Sequence, residues 1–78
     1  MKAKKLIEHL AAQLVDHPEG VSVDEHDSGE TVVLTLRVTP GDLGKVIGRE
    51  GRTAHAMRAI LTAAATAQGR RAMLEIAD

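Results

Sequence analysis

Two glycines three residues apart, Gly48 and Gly51, enclose Arg49 and Glu50, with Lys45 and Arg52 beside them in the stretch KVIGREGRTAHAMRAIL. Residues of these types can capture an anion. Glycine admits a backbone that a side chain would hold off, Lys45, Arg49 and Arg52 bring positive charge, and a helix starting after Gly51 adds unpaired N–H groups and the positive end of its dipole. A sugar-phosphate backbone is the ligand such a corner suits. The same four residues equally make a plain corner between two helices with Gly48 as its C-cap, and by counting alone the basic residues are solvated surface charges. The elements around the corner must decide.

Other chemistries find little support in the chain. Without cysteine there is no disulfide, zinc–thiolate site or thiol catalysis, and His9, His17, His26 and His55 have neither the paired spacing nor the neighbours of a metal site. GDLGKVIG is not a nucleotide-binding P-loop, because no Lys-Ser or Lys-Thr follows its last glycine. No nucleophile stands in a legible pairing with a base, so neither an enzyme nor a cofactor is expected. The absence of Phe, Tyr and Trp excludes base recognition by aromatic stacking and leaves the core to Leu, Ile, Val and Ala. A length of 78 residues allows one small domain, burying roughly 60% of its unfolded surface.

A net charge of −1 hides an uneven distribution. Asp16, Glu19, Asp24, Glu25, Asp27 and Glu30 occur without a Lys or Arg among them, whereas Lys45, Arg49, Arg52 and Arg58 face only Glu50, and Arg70 and Arg71 follow. Glu8 and His9 interrupt the first apolar segment, and no apolar run approaches the ~18 residues of a membrane span, so a soluble cytoplasmic protein is expected.

The elements that would position the corner follow from periodicity. Ala3, Leu6, Ile7, Leu10, Ala11 and Leu14 recur at helical steps, predicting an amphipathic helix over 2–16 that Pro18 and Gly20 terminate. Val21 and Val23, then Val32, Leu34, Leu36 and Val38, alternate about the turn residues Asp27, Ser28 and Gly29, predicting a β-hairpin. Thr39, Pro40 and Asp42 read as cap, first helical residue and capping-box partner of a short helix with Leu43, Val46 and Ile47 as its apolar stripe, ended by a left-handed Gly48. Gly51 opens a helix to about Gln68, with Ala54, Met57, Ile60, Leu61, Ala64 and Ala65 facing one way and Arg52, His55, Arg58 and Thr62 the other. Ala72, Leu74 and Ile76 share one face of a last strand, which a crossover connection sets parallel to 30–38. The order is α-β-β-α-α-β, an α+β class in which helices cover one face of a three-stranded mixed sheet.

GDLGKVIGREGRTAHAMRAIL set in that order resembles the KH domain in its type II, bacterial arrangement, over the whole of 1–78, and in particular the small free-standing KH proteins of bacteria. The resemblance implies that Gly48, Arg49, Glu50 and Gly51 clamp the backbone of about four single-stranded nucleotides, with bases in an adjoining apolar groove. It draws the groove floor from Val46, Ile47, Ala54 and Met57, its edge from Met73, Leu74 and Glu75, and a variable loop from Gln68 to Arg71. Val46, Ile47 and Met57 also suit the core, Ile47 more than Met57. Glu50 in the loop and the absence of a strongly basic balance point to modest affinity and broad specificity. The resemblance further implies an RNA chaperone with single-stranded RNA as partner, self-association or pairing with a larger KH protein, and effects on cell shape and cell-wall growth. A module whose main task is pairing with another KH protein is the competing expectation. DNA reading through the same corner is disfavoured, because the helix after Gly51 is too rich in alanine to read base edges.

Overall fold

Alternation and a glycine turn build the sheet. In the computed structural model, which describes residues 2–77, strands β1 (Ser22–Asp27) and β2 (Thr31–Arg37) pair antiparallel, with Ser22 opposite Arg37 and Asp27 opposite Val32. Met1 and Asp78, the outermost residues of the expected 1–78 domain, lie outside the described residues. At the turn Gly29 takes φ +91° and donates its N–H to the Asp27 carboxylate at 2.8 Å, while the Ser28 hydroxyl donates to the Thr31 carbonyl at 2.9 Å. Strand β3 (Arg71–Ala77) returns parallel to β2, from Thr31 beside Arg71 to Arg37 beside Ala77, giving the order β1-β2-β3.

Three helices cover one sheet face: α1 (Ala3–Leu14), α2 (Leu43–Ile47) and α3 (Arg52–Thr66). Val32, Leu34 and Leu36 point into the core with no exposed surface, and the register sets Ala72, Leu74 and Ile76 beside them. Ile7 from α1, Val46 from α2 and Met57 and Leu61 from α3 close the core without an aromatic ring. Thr31, Val33 and Thr35 face the open side, partly exposed, so the expected α+β arrangement with a mixed sheet stands.

Several local expectations need correction. Helix α1 stops at Leu14 rather than at residue 16, because Val15 turns extended (φ −96°, ψ 161°) to bury its side chain; Leu14, expected on the apolar stripe, is 40% exposed. The buried stripe of α3 narrows to Ala54, Met57, Leu61 and Ala65, leaving Ile60 42% exposed and Ala64 half-buried, since β3 and the two short helices α1 and α2 cover only one side of it. Thr39 and Asp42 do not form a reciprocal capping box. Asp42 is instead a buried carboxylate that accepts the Thr39 hydroxyl at 3.1 Å and, from across the molecule, the His17 N–H at 3.0 Å. Burial pushes its carboxyl up, but the His17 and Asp16 N–H groups and the Thr39 hydroxyl outweigh this and hold it below the usual range. The donors freed where α1 ends thus fix the approach to α2, and with it the glycine corner.

Candidate nucleic-acid interface

The two glycines of the corner are not equivalent. Gly48 closes α2 by donating its N–H to the Gly44 carbonyl at 2.8 Å, and it adopts φ +77°, ψ 173°, a mirror-image extended conformation rather than the expected left-handed one. The left-handed residues are Glu50 (φ +57°, ψ 25°) and Gly51 (φ +75°, ψ 10°). A Cβ at Gly48 would overlap Thr53, whereas one at Gly51 meets open space. Internal bonds already engage several amides: Gly51 donates to Gly48 at 3.1 Å and Arg52 to Arg49. An anion brought to this corner would therefore meet side-chain charge, the openness at Gly51 and the start of α3 more than a row of free N–H groups.

The cations expected around the corner divide into free and engaged. Arg49 is exposed and, among the described residues, joins none of the ion pairs, leaving its guanidinium available to phosphate. Arg52 lies 3.4 Å from Glu50, an exposed pair that costs little to break. Lys45 is held by Asp16 at 2.9 Å and by Asp42 at 3.5 Å, and the hydrogen bond and charge of Asp16 raise its ammonium above the usual range. It braces α2 against the end of α1 through a pair that itself remains exposed. Arg70 and Arg71 stand at the far end of α3, whose 15 residues span roughly 22 Å. There Arg70 ties the hairpin turn, pairing with the Asp27 carboxylate and donating to the Gly29 carbonyl at 3.1 Å. Arg71 is exposed and donates its backbone N–H to Glu30 at 3.0 Å.

Of the apolar residues expected to floor a groove, Val46, Ala54 and Met57 are at most 3% exposed and lie beneath the surface, where they can shape a groove but not touch a base. Ile47 is 38% exposed, reversing the expectation that it suits the core better than Met57. The groove lies further along α3, between that helix and β3, with a volume of about 210 Å3 and a lining of Arg58, Leu61, Thr62, Ala72, Met73 and Leu74. Met73 and Leu74 were expected at its edge; Arg58 and Thr62 were read only as the polar side of a helix. Their spacing of four after the glycine corner is the signal that marks them as one lip. A larger recess of about 460 Å3, among Lys2, Lys4, Lys5 and Glu25, opens at the start of α1, the opposite end of that helix from Asp16 and Lys45, and adjoins neither the corner nor the groove.

A glycine corner joining two helices between β2 and a parallel β3, preceded by a helix and an antiparallel strand, defines a KH domain of type II. Comparison with known proteins agrees: the family described as KhpA/KhpB, KH domain, matches residues 4–76. RNA-binding protein KhpA of Halalkalibacterium halodurans is 55% identical, covering 96% of this chain and 99% of its own length. The proteins of that name from Aquifex aeolicus and Bacillus subtilis are 48% and 40% identical, over 96% and 94% of this chain and 95% and 90% of theirs. The chain belongs to the KhpA/KhpB KH-domain family. Among the described residues no helix is long and apolar enough to cross a membrane.

Proposed function

We propose that the chain is a cytoplasmic RNA-binding module, not an enzyme, that holds the backbone of single-stranded RNA at Gly48, Arg49, Glu50 and Gly51 and lays bases along the α3/β3 groove. The observation that carries this reading is Arg49, exposed and among the described residues unpaired, beside the open Gly51 at the start of α3, the helix whose later turns line that groove. The name RNA-binding protein shared by the relatives supports it. With Lys45 and Arg70 engaged elsewhere, few cations remain for phosphate, so affinity is modest and selectivity weak. Contacts of that kind grip and release quickly, as an RNA chaperone requires. Roles in cell shape and cell-wall growth are proposed by resemblance to the family.

Salt tests this reading. With ~2 to 4 phosphates neutralised, log affinity should fall against log salt with a slope of roughly −1.5 to −3, using the single-strand coefficient, and duplex RNA should bind worse than single strands. A flat salt response or a preference for duplex overturns it.

A second reading, pairing with a second copy or with a larger KH protein such as KhpB, is favoured by the outward side of α3. Ile60 is 42% exposed there, among the exposed Ala56, Ala59, Ala63 and Ala67, and small side chains let a second helix approach closely. The family description that matches spans both KhpA and KhpB. Ile60→Glu should convert an associated species to monomer in sedimentation without lowering the melting temperature, because the side chain is already in contact with water. An unchanged sedimentation coefficient would remove this face from any pairing.

A further inference from the structure

Among the described residues Arg58 is the one charged side chain lining the α3/β3 groove, and no carboxylate pairs with it. Its Nε–H donates to the Leu74 carbonyl at 3.4 Å, a long contact that orients the guanidinium against the strand without using its other donors. Among the described residues strand β3 pairs only with β2, leaving its second flank unpaired; Arg71 turns its N–H toward the β2 side, so the alternate Leu74 carbonyl, which Arg58 reaches from α3, lies on that flank. Arg37, Arg52 and Arg70 all pair with carboxylates; among the described residues Arg58 does not. The remaining lining is apolar apart from Thr62, and a volume of about 210 Å3 is below the roughly 300–1,000 Å3 that houses drug-sized ligands, a space for one flat ring system. With no aromatic residue in the chain, a base seated there meets aliphatic walls on its face and the guanidinium at its edge.

We propose that Arg58 is a specificity-determining residue: at the single nucleotide seated in the α3/β3 groove it selects a base that presents two neighbouring hydrogen-bond acceptors, guanine or cytosine, over adenine or uracil. This rests on the RNA-binding reading above and adds base choice at one position to a grip that is otherwise led by the backbone. The chemistry follows from the guanidinium, a planar fork of donors with no acceptor. Guanine offers N7 beside O6 and cytosine offers N3 beside O2, so each can take two parallel N–H donors from the fork. Adenine sets an amino donor next to its ring acceptor, and uracil sets an N–H between its two carbonyls, so each turns a donor toward the guanidinium. The Thr62 hydroxyl, one helical turn further on, both donates and accepts and does not discriminate. An open groove retains part of the discrimination of a bidentate pair, so the preference should be roughly five- to tenfold.

Four seven-nucleotide RNAs, uridine throughout except for a central C, G, A or U, test this by fluorescence anisotropy against the wild-type protein and Arg58→Lys, with circular dichroism melts of both. The C and G oligonucleotides should bind the wild type about five to ten times more tightly than the A and U ones. Arg58→Lys keeps the charge but loses the fork, so the spread should collapse to within about twofold while the salt slope persists. Equal wild-type affinity for all four, with the salt slope intact, overturns the role of Arg58 and leaves the RNA-binding reading standing. A preference that survives in Arg58→Lys overturns it as well, and no binding of any oligonucleotide by the wild type overturns both.

Discussion

Replacing Arg49 and Glu50 together with aspartate weakens RNA binding by up to about 30-fold at low salt and leaves the melting temperature almost unchanged. The affinity half follows from charge: Arg49→Asp reverses a loop cation that has no partner among the described residues, a change of two units beside the phosphate proposed there. At about 6 Å and an effective dielectric near 40, each unit is worth on the order of 1 kcal/mol before screening, and two units correspond to roughly 30-fold. The stability half follows from exposure and backbone. Arg49 and Glu50 both face solvent, and Glu50 occupies a left-handed conformation (φ +57°) that aspartate adopts more readily than most residues. Filter binding beside circular dichroism melts measures both halves. A folded double mutant with wild-type affinity would remove the corner from the mechanism.

Gly48→Ala has the opposite signature, a large loss of stability. The new Cβ would overlap the Thr53 hydroxyl and approach the Thr53 Cβ to 2.7 Å and its backbone nitrogen to 2.9 Å, at a φ of +77° and ψ of 173° that only glycine adopts comfortably. Backbone strain and overlap together should cost about 2–4 kcal/mol, a large share of the ~4–12 kcal/mol typical for a domain of this length. Thermal melts should fall by roughly 10–25 °C. Gly51→Ala, by contrast, puts its methyl into open space on a left-handed backbone and should cost only about 1 kcal/mol. Equal melting temperatures for the two variants would refute the asymmetry.

That asymmetry was not legible from spacing, which treats the two glycines alike. What periodicity did reveal is the set of elements and the faces they turn inward. The Val32, Leu34, Leu36 alternation, the Asp27–Gly29 turn and the inward face of Ala72, Leu74 and Ile76 all follow from patterns local to each segment. Long-range partners were hidden. Asp42 looked like a capping residue because its neighbour Thr39 is close in sequence, yet its backbone donor His17 lies 25 residues away. Lys45 and Arg70 are expected beside the phosphate from their place in the chain, but that each also has a carboxylate partner was hidden, because Asp16 and Asp27 come from the distant segment that carries no Lys or Arg. Arg58 was hidden by the same limit, since a helical pattern shows that a side chain leaves the core but not that a strand edge waits for it.

The parallel pairing of β3 with β2 has a kinetic consequence. The hairpin closes through a short turn, but Arg71 can reach Thr31 only after the chain has threaded both α2 and α3 across the sheet. Closing that long loop is entropically slow compared with the hairpin, so docking of the last strand is the natural late step of folding. The glycine corner, the helical lip and the strand edge all lie on the late-closing side. Without β3 docked the chain would have no groove, so RNA bound there, as proposed, would act on the folding equilibrium itself and favour the closed chain.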